Sequence, residues 1–136
     1  MSHRVNLGAF QYLKVTKQAV CFAERITNTT DTGIVELEVI VPDGKLWIIQ
    51  QLGAFHQQSA ARDAEFYIKA EGGARIGLLS MTSISRELVP PERFKTFIGN
   101  TASYVPGGWF IGVCWFGIDT SGLIRFLYHV TELDLD

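Results

Sequence analysis

The chain has 136 residues, which suits one domain and is too short for two ordinary ones. Hydrophobic residues make up 47% and charged residues 19%, a balance that excludes intrinsic disorder. The net charge of −2 argues against a protein that grips nucleic acid through its phosphates, which needs a basic surface.

The first 32 residues carry two patterns. Val15, Ala19, Phe22, Ala23 and Ile26 match one helical face. A β reading places strands at about Gly8–Val15 and Val20–Thr27, rich in Val, Phe, Tyr and Thr. The β reading is preferred because no helix cap precedes Phe10, and residues 1–32 then serve as extra strands or as an arm. The start, Met1-Ser-His-Arg-Val, has no apolar signal core, so synthesis and folding in a reducing cytoplasm are expected.

From Gly33 onward the period is two. Val35, Leu37, Val39 and Val41 face one way, and Glu36 and Glu38 the other. Pro42-Asp-Gly-Lys45 makes a turn, and Leu46 to Phe55 follows as a strand that is apolar on both faces. His56 to Asp63 is polar and reads as a loop. Ala64 to Ala70 alternates, with Ala64, Phe66 and Ile68 inward and Glu65, Tyr67 and Lys69 outward. Glu71-Gly-Gly-Ala74 is a hairpin turn, and Arg75 to Thr82 returns as a strand. Ser83 to Pro91 is irregular because Pro90-Pro91 forbids regular sheet, and a short strand is expected near Lys95–Gly99. Val105-Pro-Gly-Gly108 turns into Trp109–Ile118, and Asp119-Thr-Ser-Gly122 turns back into Leu123–Asp134. In that last strand Ile124, Phe126, Tyr128 and Val130 line one face. The turn signals predict seven to nine strands in a single-domain, all-β antiparallel β-sandwich with jelly-roll-like topology. Val41-Pro-Asp-Gly and Val105-Pro-Gly-Gly echo one another, as equivalent turns in two halves of a sandwich would.

Chemistry-bearing residues do not group. His3, His56 and His129 share no metal-ligand spacing, and Cys21 and Cys114 sit in apolar runs as small buried hydrophobes. Glu36 and Glu38 lie about 7 Å apart on one strand face, near the carboxyl spacing of retaining glycosidases. Such pairs span a cleft between strands, so here alternating Glu reads as a solvated or edge-protecting face. Glu132, Asp134 and Asp136 share one side of the last strand, which reads as an acidic tail rather than a Ca²⁺ site. Asn28-Thr-Thr30 fits a glycosylation acceptor but reads as a polar turn. Tyr67 and Tyr104 are candidate platforms for a surface glycan. No catalytic, cofactor-binding or metal-binding residue is assigned, and no enzyme activity is expected.

Val41-Pro-Asp-Gly-Lys-Leu-Trp-Ile-Ile-Gln resembles the Pro-x-Gly-Lys-x-Trp strand entry of small virion proteins of tailed bacteriophages. Ser103-Tyr-Val-Pro-Gly-Gly-Trp-Phe-Ile-Gly-Val resembles the entry to their penultimate strand, and the terminal hairpin follows as it does there. The resemblance runs from Gly33 to the C-terminus. It implies a structural subunit of a capsid decoration, tail, collar or spike, located in the virion and packed against its own copies and other virion proteins. It implies no catalytic residues, and no cofactor, direct nucleic-acid or membrane contact is expected of the chain. Carbohydrate or receptor binding on the same fold is the alternative. Ser83–Tyr104 and the N-terminal segment are the candidate contact arms, since a long connection and a terminal strand both suit partner contact.

Overall fold

The computed structural model describes residues 3–6, 12–27, 33–86, 95–98 and 104–135, with backbone alone described before Val20, at 95–98 and at Leu135. It is all β. The strands are β1 (His3–Asn6), β2 (Tyr12–Thr27), β3 (Gly33–Ile40), β4 (Lys45–His56), β5 (Arg62–Lys69), β6 (Ile76–Ile84), β7 (Lys95–Ile98), β8 (Tyr104–Pro106), β9 (Phe110–Ile118) and β10 (Gly122–Leu135). They form two antiparallel sheets. One has the order β1-β2-β10-β4-β7, with β8 also on β4, and the other has the order β3-β9-β5-β6.

The topology follows from nested pairing. β2 pairs with β10, β3 with β9, β4 with β7 and β8, and β5 with β6, so the chain makes one long antiparallel ribbon closed at the β5–β6 hairpin. The ribbon then wraps on itself, which brings β10 beside β4 and β9 beside β5. That is the jelly-roll path. Since β7 and β8 share one edge of β4, the wrapped ribbon has eight strand positions, and β1 adds a short hairpin strand outside them.

Between the sheets lies a core of Val35, Leu37, Trp47, Ile49, Leu52, Phe66, Ile111, Val113, Trp115, Ile124, Phe126 and their neighbours. Alternation puts these side chains inside, and burial of such large apolar groups is the main stabilising term. β4 departs from strict alternation. His129 faces Gln51 but Val130 faces Ile49, so Gln50 is an extra residue in β4. This bulge lets Trp47 and Ile49 on one side of it, and Leu52 and Ala54 on the other, all face the core. The aromatic rings of Phe66, Phe126, Tyr128 and Trp47 run in contact, with successive centroids 6.2, 5.5 and 5.6 Å apart.

The N-terminal region differs from both sequence readings. It holds no helix at Val15–Ile26, and β2 is one unbroken strand rather than two. Its backbone is hydrogen-bonded to β10 along nearly the whole length, and a single extra residue, Thr16, absorbs the misfit between Lys17 and Val15. β2 is therefore part of the sandwich. The expected short strand at Lys95–Gly99 is present as β7. Pro90-Pro91 and most of the Ser83–Tyr104 segment lie outside the described residues, as does Asn28-Thr-Thr30.

The two Val-Pro-x-Gly turns lie against each other. Lys45 N–H donates to the Pro42 carbonyl (3.2 Å), and Trp109 N–H donates to the Pro106 carbonyl (3.2 Å), so the turns close identically. Gly44 and Gly108 occupy the same turn position with φ of 75° and 85°, where a side chain is strained. Between the turns, Val41 N–H donates to Trp109 O, Gly108 N–H to Val41 O, and Gly107 N–H to Lys45 O. The echo in the sequence thus marks one double turn capping an end of the sandwich.

Near Thr27, a buried amide closes three elements together. The Gln58 side chain donates to Thr27 Oγ1 and Thr120 O (both 3.0 Å). Its Oε1 accepts from Asp119 N–H (3.2 Å), Thr120 N–H (3.1 Å) and Thr120 Oγ1 (3.0 Å). Thr27 Oγ1 in turn contacts the carbonyls of Thr120 and Gly122. The end of β2, the β4–β5 connection and the β9–β10 turn are locked in one network. His56, fully buried, joins its rim: Nδ1 accepts from Gln58 N–H (3.0 Å), so Nε2 carries the proton and donates to Ile84 O (2.6 Å).

Candidate functional site

The two outer faces of the sandwich differ in chemistry. On the four-stranded sheet, Glu36 and Glu38 of β3 stand beside Tyr67 and Lys69 of β5. Lys69 Nζ lies 3.2 Å from Glu38 and 3.5 Å from Glu36, and Arg75 lies 3.4 Å from Glu36. Tyr67 O–H donates to Glu38 (2.5 Å). The sequence places Tyr67 outward, and it does point to the outer face, yet it is fully buried. Its cross-strand neighbours are Gly112 on β9 and Gly77 on β6. The Arg75 guanidinium covers the ring at 5.8 Å.

The network explains its own ionisation. Burial alone would raise the Glu36 carboxyl, but the Tyr67 hydrogen bond and the Lys69 and Arg75 charges outweigh it and hold it below the ordinary value. Burial pushes the Tyr67 hydroxyl far above the usual tyrosine range, and the Glu38 and Glu36 carboxylates add to that. Burial also raises Tyr128, reinforced by its neighbour Cys21. Cys114, between Glu36 and Glu65 in the sheet register, is pushed up to about 11 by burial, as an inert thiol would be.

The sign for Tyr67 is definite. Its folded value lies above its unfolded one, so its contribution to stability is complete below about pH 10 and is lost as pH rises beyond that. Tyr67 should therefore ionise only when the protein unfolds in alkali. An ultraviolet titration near 295 nm, with Tyr67→Phe as reference, checks this. Smooth ionisation of all four tyrosines before any loss of fold would refute it.

The arrangement places Glu36 and Glu38 in an ion-pair network rather than across a cleft, in keeping with a solvated structural face. Around it, Glu36, Glu65, Lys69, Gly73, Ala74 and Arg75 line an open polar groove of about 440 Å³ beneath the β5–β6 turn.

The acidic tail is corrected by the structure. Glu132 is buried and accepts from Trp47 Nε1–H (3.0 Å), and Asp134 is ion-paired with Lys45, whose ammonium is raised by that contact. The backbone ladder to β2 and β4 carries these residues to the end of the strand; Asp136 lies outside the described residues. Among the described residues no three His, Cys, Asp or Glu side chains come together as a metal site. Cys21 and Cys114 are both free thiols. Tyr104 is half-exposed on the β8 edge and does not join Tyr67.

The outer face of the larger sheet carries an apolar row on β2. Val20, Phe22 and Ile26 project from β2 and are each at least half exposed. Arg125 of β10 lies between the rings of Phe22 (5.4 Å) and Phe55 (5.8 Å) and pairs with Glu24 at 2.6 Å. Sequence reasoning missed this face. The alternation Val20, Phe22, Glu24, Ile26 was visible, but the inner partners Ala23 and Thr27 are smaller or more polar, so nothing local told which side was the core.

No family model matches the chain, and no curated protein matches it. Among solved structures it is similar to the VP2 subviral particle of infectious bursal disease virus, with 8% identity and a TM-score of 0.34 over 96% of this chain and 41% of that one. The chain thus spans about two fifths of that protein's length.

Proposed function

We propose that the chain is a non-enzymatic structural subunit of a virion, of the tailed-bacteriophage type that its two Val-Pro-x-Gly strand entries resemble. It assembles with copies of itself and with neighbouring capsid or tail proteins, and it uses no cofactor, nucleic acid or membrane. The observation that carries this reading is the apolar row Val20, Phe22 and Ile26 on one outer sheet face. Glu24 stands between Phe22 and Ile26, and the three together present on the order of 300 Å², the size of the largest apolar patch of a typical monomer, which is often functional. Phe22 stacked on Arg125 has the makings of an interface anchor, an aromatic ring with a guanidinium already held beside it. The contact is one between copies of this chain.

Light scattering over a concentration series tests it. The protein should associate, and Phe22→Glu should lower the mass reached while costing about 1 kcal/mol of folding stability through the lost Arg125 contact. A wild-type monomer at every concentration would end the self-assembly reading.

A carbohydrate-binding module is the second reading, favoured by the groove under the β5–β6 turn, where carboxylates and cations alternate. Screening against a glycan panel decides it, with Arg75→Ala expected to abolish any signal that arises there.

A further inference from the structure

Among the described residues the four-stranded sheet has two open edges, β3 and β6, and they are built differently. Unpaired strand edges invite pairing with another chain, and proteins blunt them with bulges, charges or proline. β6 is blunted. Phe66 faces Leu79 while Tyr67 faces Gly77, so Leu78 is extra, and a second irregularity falls at Thr82-Ser83, where Ser83 takes a φ of 52°. β3 has neither bulge nor proline there: from Val35 to Ile40 its register with β9 is unbroken, and Glu36 and Glu38 are its charges.

The direction of its backbone groups is fixed by one hydrogen bond. Val41 N–H donates to the carbonyl of Trp109, the residue before β9, so Val35, Leu37 and Val39 also face β9. Ile34, Glu36, Glu38 and Ile40 then offer their N–H and C=O groups to the open edge. Among the described residues no strand takes them up. The segment reads Ile34-Val35-Glu36-Leu37-Glu38-Val39-Ile40, which is the same in both directions.

We infer that β3 pairs antiparallel with β3 of a second copy, about a two-fold axis at Leu37, joining two four-stranded sheets into one of eight. In that register Ile34 faces Ile40, Glu36 faces Glu38 and Leu37 faces itself. The residues whose backbone groups point outward are the ones that come opposite each other, giving two hydrogen bonds per facing pair. A two-fold axis one residue away at Glu36 would also match backbone groups, but it would set Ile34 against Glu38. Only the axis at Leu37 puts the two exposed isoleucines, 56% and 52% accessible, in contact at both ends. The facing glutamates do not prevent it. In each copy Glu36 and Glu38 are drawn back over their own sheet by Lys69 and Arg75, so two negative charges meet two positive ones before the partner arrives. The same tie-back disarms the charges that would otherwise guard the edge.

The inference names a second contact within the assembly reading and rests on that reading only for its purpose. A two-fold edge closes at a dimer, while a shell or collar needs another contact to propagate it, and the apolar face of β2 supplies one. The test uses full-length Phe22→Glu protein, in which the edge is the remaining contact. Sedimentation should show a dimer, and hydrogen exchange should show the Glu36, Glu38 and Ile40 amides protected. Adding Ile40→Lys should weaken the dimer by on the order of tenfold or more, since symmetry counts the change twice. Ile34→Lys combined with Ile40→Glu in one chain should restore it to within a few-fold, because those positions face each other. A monomeric Phe22→Glu protein from an associating wild type overturns the edge pairing and leaves the assembly reading intact. A dimer whose Glu36, Glu38 and Ile40 amides exchange freely does the same. A wild-type monomer overturns both.

Discussion

Gln58→Leu is expected to cost about 3–5 kcal/mol of folding stability, a large share of what a domain of this size has. The residue is fully buried, and its amide is engaged on both sides. A leucine of similar size fills the space but leaves the Asp119 and Thr120 amides and the Thr120 hydroxyl without the acceptor they use now. Each such orphan costs about 1–3 kcal/mol when water cannot replace the partner. Gln58→Glu separates the two halves of the role. A carboxylate can still accept from Asp119 and Thr120, but it cannot donate to Thr27 Oγ1 or Thr120 O, and it brings a charge into a buried site. It should be nearly as damaging at neutral pH and less so in mild acid, where the protonated form can donate one bond. Urea unfolding with an unchanged m-value measures both. A loss below about 1 kcal/mol for Gln58→Leu would mean that the three elements hold together without the amide.

This residue also shows where the sequence stops being informative. The half-buried strands were legible because alternation is a local signal: Val35, Leu37 and Val41 are buried, and Ile124, Phe126 and Val130 are too. Gln58 was not, since His56-Gln-Gln-Ser reads as a solvated loop, and only partners on distant strands explain its burial. The same holds for Glu132, which looks like part of an acidic tail until Trp47 is placed across from it. For Tyr67 the outward direction was right and the burial unexpected, because the groups laid against it, the Glu38 carboxylate and the Arg75 guanidinium, come from other parts of the chain. β2 was divided at its polar middle, Lys17-Gln18, although backbone pairing to β10 needs no apolar side chain there. Cross-strand partners are non-local information, and each of these misses is one. The palindrome in β3 was in plain view too, but it acquires meaning only once β3 is known to be an edge and its outward groups are counted.

Gly107→Ala is expected to destabilise the fold by about 2–3 kcal/mol, and the reason is steric rather than conformational. Gly107 does not sit in the left-handed region, so alanine meets no backbone strain there. A Cβ at this position, however, would lie 2.6 Å from the Pro42 carbonyl oxygen and 3.1 Å from both Asp43 Cα and Gly44 N. All three are backbone atoms of the facing turn, so relief requires the two turns to part. That would strain the hydrogen bonds from Gly107 to Lys45 and from Gly108 to Val41. Gly44→Ala is the opposite case. Its φ of 75° favours glycine, but nothing lies within 4 Å of the added methyl, so the cost is about 1 kcal/mol. The ordering of the two substitutions in chemical unfolding is therefore diagnostic. If Gly107→Ala is no worse than Gly44→Ala, the turns are not packed back to back. If it is worse by a kcal/mol or more, the repeated Val-Pro-x-Gly is a single cap whose two halves fit only because one of them has no side chain at its point of contact.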